Sequence, residues 1–189
     1  IWAKMENEMK ALLIIDIQND YFKDGNCELV NPQIASANAK KLLEKFREKN
    51  MPVFHIQHIS VRENGTYFLP NTNGVLIHED VKPLENERII TKNFPNSFSK
   101  TTLLEELKKQ DIKELVICGM MSHMCIDTTT RAAFDLGFDC IVSYDACCTK
   151  DLEFNKNKIM AQDVHDSFMA SLNGIFSKVL HTNEILQDC

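Results

Sequence analysis

Six short apolar runs recur along this chain of 189 residues: "ALLII", "PVFHIQHI", "RIIT", "ELVICG", "FDCIVS" and "FSKVL". Runs of a few residues, apolar without strict alternation, are what strands covered on both faces require. Helical patterns lie between them. Asn31-Pro32 opens the first in cap and first-turn positions, and Ile34, Ala35, Leu42, Leu43 and Phe46 then fall on one face. Thr102 with Glu105 has the form of a capping box for the second. The third is predicted from about Cys125 to Leu136, stopping at Gly137, and the fourth from about Asn155 to Asn173, stopping at Gly174. This alternation predicts an α/β fold: a three-layer α/β/α sandwich, Rossmann-like, with right-handed crossovers and a mostly parallel sheet of about six strands. The rhythm lapses from Ser60 to Glu87, a connection long enough to be read as a lid or binding loop.

One domain over residues 10–189 accounts for the pattern, with no internal repeat or low-complexity tract. Residues 1–9 begin with Ile1 rather than Met and are set apart as an appended, trimmed or flexible end. With 27 acidic against 21 basic side chains and no long block of like charge, a nucleic-acid partner or a polybasic membrane anchor is not expected. No apolar run approaches the ~20 residues of a membrane span, and no signal-peptide core is evident. The seven cysteines form no C-x-x-C pair and no disulfide framework, which points to free thiols in a reducing, cytoplasmic setting.

In an open parallel sheet, sites form beyond the carboxyl ends of the strands, so the polar residues that follow each apolar run belong to one inspection. Asp16 follows "ALLII", Lys92 follows "RIIT", and Cys125 follows "ELVICG" after a short elbow. An acid, a base and a thiol at one sheet edge make a nucleophilic constellation. A helix start favours an anion, and a neighbouring ammonium adds to the effect, so the thiol pKa of Cys125 is expected to be lowered. Asp16, partly desolvated, would serve as general base and then acid. The elbow "GMMSHM" supplies backbone N–H groups of the kind an oxyanion hole needs. Each residue also has an ordinary reading, as turn aspartate, solvated lysine or packed cysteine.

Three motifs, "ALLIIDIQNDYF", "KNFPNSF" and "GMMSHMCIDTTTRAAFDLGFDCIVSYDAC", together resemble the isochorismatase-like cysteine hydrolases, the superfamily that includes nicotinamidases and N-carbamoylsarcosine amidohydrolase. The resemblance runs from Ala11 to about Glu184. It implies a catalytic triad of Asp16, Lys92 and Cys125, a cis peptide between Met120 and Met121, an oxyanion hole formed by the backbone amides of Met121 and Cys125, and assembly as a homodimer or homotetramer. Nicotinamidases carry a D-x-H metal motif where this chain reads "HIQHIS", so the aspartate is missing. His55 and His58, three apart on a strand, face opposite ways and cannot chelate one ion, so no metal and no other cofactor is expected. True isochorismatases lack the nucleophilic cysteine, so its presence here favours attack on an acyl carbon.

Gln18, Phe22, Gln57 and His58 are candidate pocket residues, each with an alternative role as a turn or core residue. Ser122 beside His123 lacks a nucleophile-elbow motif, and His165 is read as structural. The expected function is cleavage of a C–N bond in a small amide, ureido or carbamoyl substrate through a thioester. The competing reading is a noncatalytic thiol, acting as a redox sensor or metabolite-binding module on the same fold.

Overall fold

The computed structural model describes residues 9–188. Residues 1–8 of the segment set apart above, and Cys189, lie outside the described residues. In chain order the elements are β1 (Lys10–Ile15), α1 (Pro32–Glu48), β2 (Val53–His58), β3 (Arg88–Lys92), α2 (Leu103–Lys109), β4 (Glu114–Met120), α3 (Asp127–Asp135), β5 (Asp139–Cys148), β6 (Leu152–Phe154), β7 (Asn157–Ile159), α4 (Ala161–Leu172), β8 (Lys178–Leu180) and α5 (Thr182–Gln187). Six of the strands form one parallel sheet in the order β3-β2-β1-β4-β5-β8. The chain builds outward from β1 in one direction, then crosses back to β4 and builds in the other. The order therefore reverses between β1 and β4, and at such a switch point the connections leave the carboxyl edge on opposite sides and open a crevice.

Side chains of β1 alternate between the two faces, as the strand period demands. Leu12 and Ile14 join Ala35, Ala39, Leu42, Leu43 and Phe46 of α1 in one core layer. Leu13 and Ile15 join Leu103 and Leu107 of α2, Ala133 of α3, and Met169 and Leu172 of α4 in the other. Each of these β1 side chains is almost fully buried, a contribution of about 1.5–3 kcal/mol apiece. The apolar runs thus form strands because helices cover both faces.

The helical expectations need three corrections. The fourth pattern begins with a β-hairpin: β6 and β7 pair antiparallel, and α4 starts only at Ala161. The turn residues Asn155 and Lys156 both have positive φ, 50° and 63°, as a two-residue type I′ hairpin requires. Thr102 makes no side-chain cap; the hydroxyl of Thr101 accepts from Leu103 N–H at 3.4 Å and donates to the Ser97 carbonyl at 2.5 Å. The third helix starts as one π-helical turn, Ser122–Ile126, and becomes regular only at Asp127. Asn31 and Pro32 do stand at the cap and first turn of α1, although Asn31 is left-handed and makes no side-chain cap.

Candidate active site

The crevice at the switch point is built by four departures from regular backbone. Asp16, directly after β1, has φ 52°, in the left-handed region that aspartate tolerates better than most residues. Its N–H donates to the Ile56 carbonyl at 3.1 Å, which fixes the strand end against β2. Gly119, next to last in β4, has φ 130°, and a side chain there would collide with the Ile15 backbone. Only glycine meets both demands. The Met120–Met121 peptide that follows is cis. The π-helical turn then carries Cys125 back over the sheet edge, and Ser122 and His123 anchor it. The Ser122 hydroxyl meets Nδ1 of His165 on α4 at 2.7 Å, and His123 Nδ1 meets the Thr149 hydroxyl at 2.6 Å. His165 thus has the structural role expected for it, and Ser122 is a buried tether.

Lys92, the last residue of β3, is 1% exposed and brings its ammonium into the middle of this arrangement. Nζ donates to Asp16 Oδ2 at 2.6 Å and to Cys125 Sγ at 3.3 Å, and lies 3.0 Å from His58 Nδ1. Asp16 Oδ1 is buried and has no hydrogen-bond partner among the described residues. Burial opposes the charge on Lys92, but Asp16 and Cys125 outweigh it and hold the pKa above the ordinary lysine value. His58 is pushed down to about 4, first by burial and then by the Lys92 charge, so it presents a neutral ring. With the ammonium donating, Nδ1 is the acceptor.

The lowered thiol pKa expected for Cys125 is corrected by the structure. Burial, and then the Asp16 carboxylate, push the Cys125 thiol up; Lys92 pulls the other way without overcoming them. Burial outweighs the helix start because Cys125 is only 5% exposed, and a low-dielectric site disfavours a new charge. The resting arrangement is therefore a neutral thiol beside a carboxylate–ammonium pair. Asp16, His58 and Cys125 bring ligand atoms within 4.8 Å of one another, close enough to hold a metal ion. Lys92 Nζ sits within bonding distance of all three, so the cation these donors coordinate is an ammonium. His55 points elsewhere and meets Glu87 Oε2 through Nε2 at 2.9 Å.

A cavity of about 150 Å³ opens onto the thiol, lined among others by Tyr21, His58, Arg62, Tyr67, Met121 and Cys125. Asp16 and Lys92 are not among the residues that line this cavity. Of the four candidate pocket residues, His58 alone reaches this wall. Gln18 braces the turn after β1: its Nε2 donates to the carbonyls of His58 at 2.9 Å and Val75 at 2.7 Å, and its Oε1 accepts from His58 N–H at 2.8 Å. Gln57 Nε2 donates to the Val75 carbonyl at 2.9 Å, and Phe22 stacks on His78 with ring centroids 3.7 Å apart. The sequence reading missed Tyr21, one residue before Phe22. The 3₁₀ turn Asn19–Tyr21 decides which of the two neighbouring aromatics faces the cavity, and the composition of the motif does not reveal this. The reading of residues 60–87 as a binding loop was the available signal for Arg62 and Tyr67, which line the cavity from that segment.

Known proteins share this architecture. The Isochorismatase domain model matches residues 10–184. The isochorismatase family protein YddQ of Bacillus subtilis (strain 168) is 51% identical over 94% of this chain and 98% of its own length. Nicotinamidase 3 of Arabidopsis thaliana is 28% identical over 82% of this chain and 80% of its own. The crystal structure of a protein designated an isochorismatase hydrolase, from Oleispira antarctica, superposes with a TM-score of 0.92 and 41% identity, covering 98% of this chain and 100% of that one. A family model that spans nearly the whole described chain, and a solved fold that coincides with it, lead to one assignment: the chain belongs to the isochorismatase family of hydrolases.

Proposed function

We propose that this protein is a cysteine hydrolase that cleaves the C–N bond of a small amide, ureido or carbamoyl substrate through a thioester. The observation that carries this reading is the single ammonium of Lys92 joining a buried carboxylate to a buried thiol that faces a cavity. Because the thiol is neutral at rest, attack needs a base, and the unpartnered Asp16 Oδ1 is placed to be one. Asp16 takes the thiol proton as Sγ bonds to the carbonyl carbon. The backbone N–H groups of Met121 and Cys125 hold the tetrahedral oxyanion. The C–N bond breaks as the proton on Asp16 passes to the leaving nitrogen. A water molecule then attacks the thioester, giving its proton to Asp16, and the departing thiolate recovers that proton. Lys92 balances charge throughout, and no step calls on a metal. The resemblance to a nicotinamidase supports amide chemistry. A redox sensor is less well matched, since sensor thiols are exposed and low in pKa and Cys125 is neither.

Ammonia release from a panel of small primary amides and carbamoyl compounds tests the reading. Asp16→Asn should lower turnover by about 10²–10⁴-fold, the usual share of general acid–base catalysis, and Cys125→Ala should abolish it. Exhaustive chelation should leave the parent rate unchanged. A folded Asp16→Asn protein working at the parent rate, or chelator-sensitive activity restored by zinc or manganese, would overturn the mechanism.

A further inference from the structure

His58 enters the reaction just described only by accepting from Lys92, and one of its two ring nitrogens is left over. The residue ends β2 and lines the cavity that opens onto Cys125. Its backbone is held on both sides by Gln18, whose Oε1 accepts from the His58 N–H and whose Nε2 donates to the His58 carbonyl. On the ring, Nδ1 lies 3.0 Å from Lys92 Nζ. Phe68 packs beside the ring, with centroids 5.8 Å apart. Backbone, Nδ1 and ring are thus each fixed by a different neighbour.

The ammonium decides which nitrogen carries the hydrogen. Lys92 has three N–H groups and no acceptor of its own, so each N–H needs an acceptor in a site from which water is excluded. Asp16 Oδ2 and Cys125 Sγ take two. Nδ1 of His58 takes the third, which it can do only if it bears no hydrogen. Burial and the Lys92 charge keep the ring neutral, and a neutral ring with a bare Nδ1 carries its hydrogen on Nε2. Nε2 makes no hydrogen bond to any described residue, yet it is not sealed inside the protein as Asp16 Oδ1 is. It is an N–H donor, set in place by the lysine beside the thiol, on a residue of the cavity wall. In the proposed reaction the backbone amides of Met121 and Cys125 serve the scissile carbonyl oxygen, so this further donor is left for a different atom.

Resting on the hydrolase reading and deepening it, we infer that His58 joins the triad to the substrate: Nδ1 positions Lys92, and Nε2–H donates to an acceptor atom of the substrate other than the scissile carbonyl oxygen. The substrate class narrows to amide, ureido or carbamoyl compounds with a second acceptor, such as a carbonyl oxygen or an unprotonated ring nitrogen. A compound that turns an N–H toward Nε2 leaves two donors facing each other and is rejected.

The two roles separate by substitution. An asparagine side chain ends where Nδ1 stands, so its Oδ1 accepts from Lys92 and nothing reaches the place of Nε2. A glutamine brings an N–H to the place of Nε2 and leaves Lys92 without its third acceptor. Benzamide is the probe with no second acceptor; picolinamide, nicotinamide and isonicotinamide carry a ring nitrogen at three different places with little change of shape. Affinities for Cys125→Ala, or for Cys125→Ser should the alanine variant not fold, are read by calorimetry, alone and combined with each His58 variant. At least one pyridine amide should bind about threefold or more tightly than benzamide, the range expected of one neutral hydrogen bond. His58→Gln should keep that preference and His58→Asn should erase it. Heteronuclear NMR of isotope-labelled histidine in the parent should show the His58 ring neutral with its hydrogen on Nε2 at neutral pH, its signal identified by its absence from whichever His58 variant folds. For an amide that the parent hydrolyses, His58→Asn should raise KM more than it lowers kcat, and His58→Gln the reverse, a split that lost packing alone would not give. A hydrogen on Nδ1, no pyridine amide favoured over benzamide, no binding of the four at millimolar concentration, a preference that survives His58→Asn, or the same kinetic change in both variants overturns the inference. If the ring state and the preference are found and no amide of the panel is cleaved, the hydrolase reading fails and the binding role of His58 stands.

Discussion

At the scale of single residues, the chemistry turns on one ammonium with three acceptors. Lys92 is nearly inaccessible to water, and a buried charge is tolerated only when paired. This makes the effect of removing Asp16 specific. In Asp16→Asn the ammonium loses its counter-ion and keeps Cys125 Sγ at 3.3 Å, so ionising the thiol restores neutrality. The Asp16 charge that pushes the thiol up is also gone. The variant should therefore be alkylated by iodoacetamide at Cys125 faster than the parent at neutral pH, by about tenfold for each unit the pKa falls, although its amide turnover drops. Peptide mapping by mass spectrometry against time reads the first quantity. An alkylation rate equal to or below the parent's would show that the carboxylate does not hold the thiol neutral. The three residues themselves were legible at the ends of apolar runs. The direction of the thiol's shift was not, because it depends on how completely neighbouring elements exclude water, and sequence position carries no measure of that.

At the scale of elements, the long connection between β2 and β3 is held at its far end by Glu87. Its carboxylate accepts from Arg47 Nε at 2.7 Å and Nη2 at 2.8 Å on α1, meets His55 Nε2 on β2 at 2.9 Å, and accepts from Leu84 N–H at 2.9 Å. Burial alone would raise the Glu87 pKa, but Arg47, the Leu84 amide and His55 outweigh it and take it down to about 2. A carboxylate depressed in the folded state contributes stability that is complete above its ordinary value of 4.5 and is lost as pH falls toward about 2. Over that window the Tm of the parent should fall further than that of Glu87→Gln. A difference of a few degrees is expected, since 1 kcal/mol moves Tm by about 2–4 °C in a domain of this size. His55, held below 6.5 chiefly by burial, adds an acid-side loss that starts at higher pH, so the comparison is made below 4.5. Parallel melting curves for the two proteins would count against Glu87 as the anchor. Neither the loop's length nor its composition marks Glu87 as different from its acidic neighbours; the contacts come from α1 and β2, far away in sequence.

At the scale of the whole molecule, several large apolar side chains remain at the surface, among them Val30, Ile34, Tyr144, Phe154 and Met160. Val30, Ile34 and Tyr144 line a shared cavity of about 220 Å³ that contains neither Asp16, Lys92 nor Cys125. Contiguous apolar surface of this kind favours self-association, in line with the homodimer or homotetramer implied by the family resemblance. Light scattering after size exclusion should give a multiple of the 21.7 kDa chain mass, and Ile34→Asp should shift the distribution toward monomer; a parent monomer at micromolar concentration would refute this. No described helix is long and apolar enough to cross a membrane, and the described cysteines are all free. The sequence by itself determined the parallel α/β sandwich, because a strand buried on both faces and an amphipathic helix are local patterns that follow from the side-chain period of each element. It also determined which strand ends carry an acid, a lysine and a thiol. The tertiary structure alone decided that β1 and β4 are adjacent at the switch point, that one ammonium serves three acceptors, that the buried thiol is neutral, and that Tyr21 rather than Phe22 faces the cavity. The first three depend on groups distant in sequence meeting where water has been excluded, and the last on the Asn19–Tyr21 turn being held by the distant carbonyls of Leu76 and Gly74, so no local pattern encodes them.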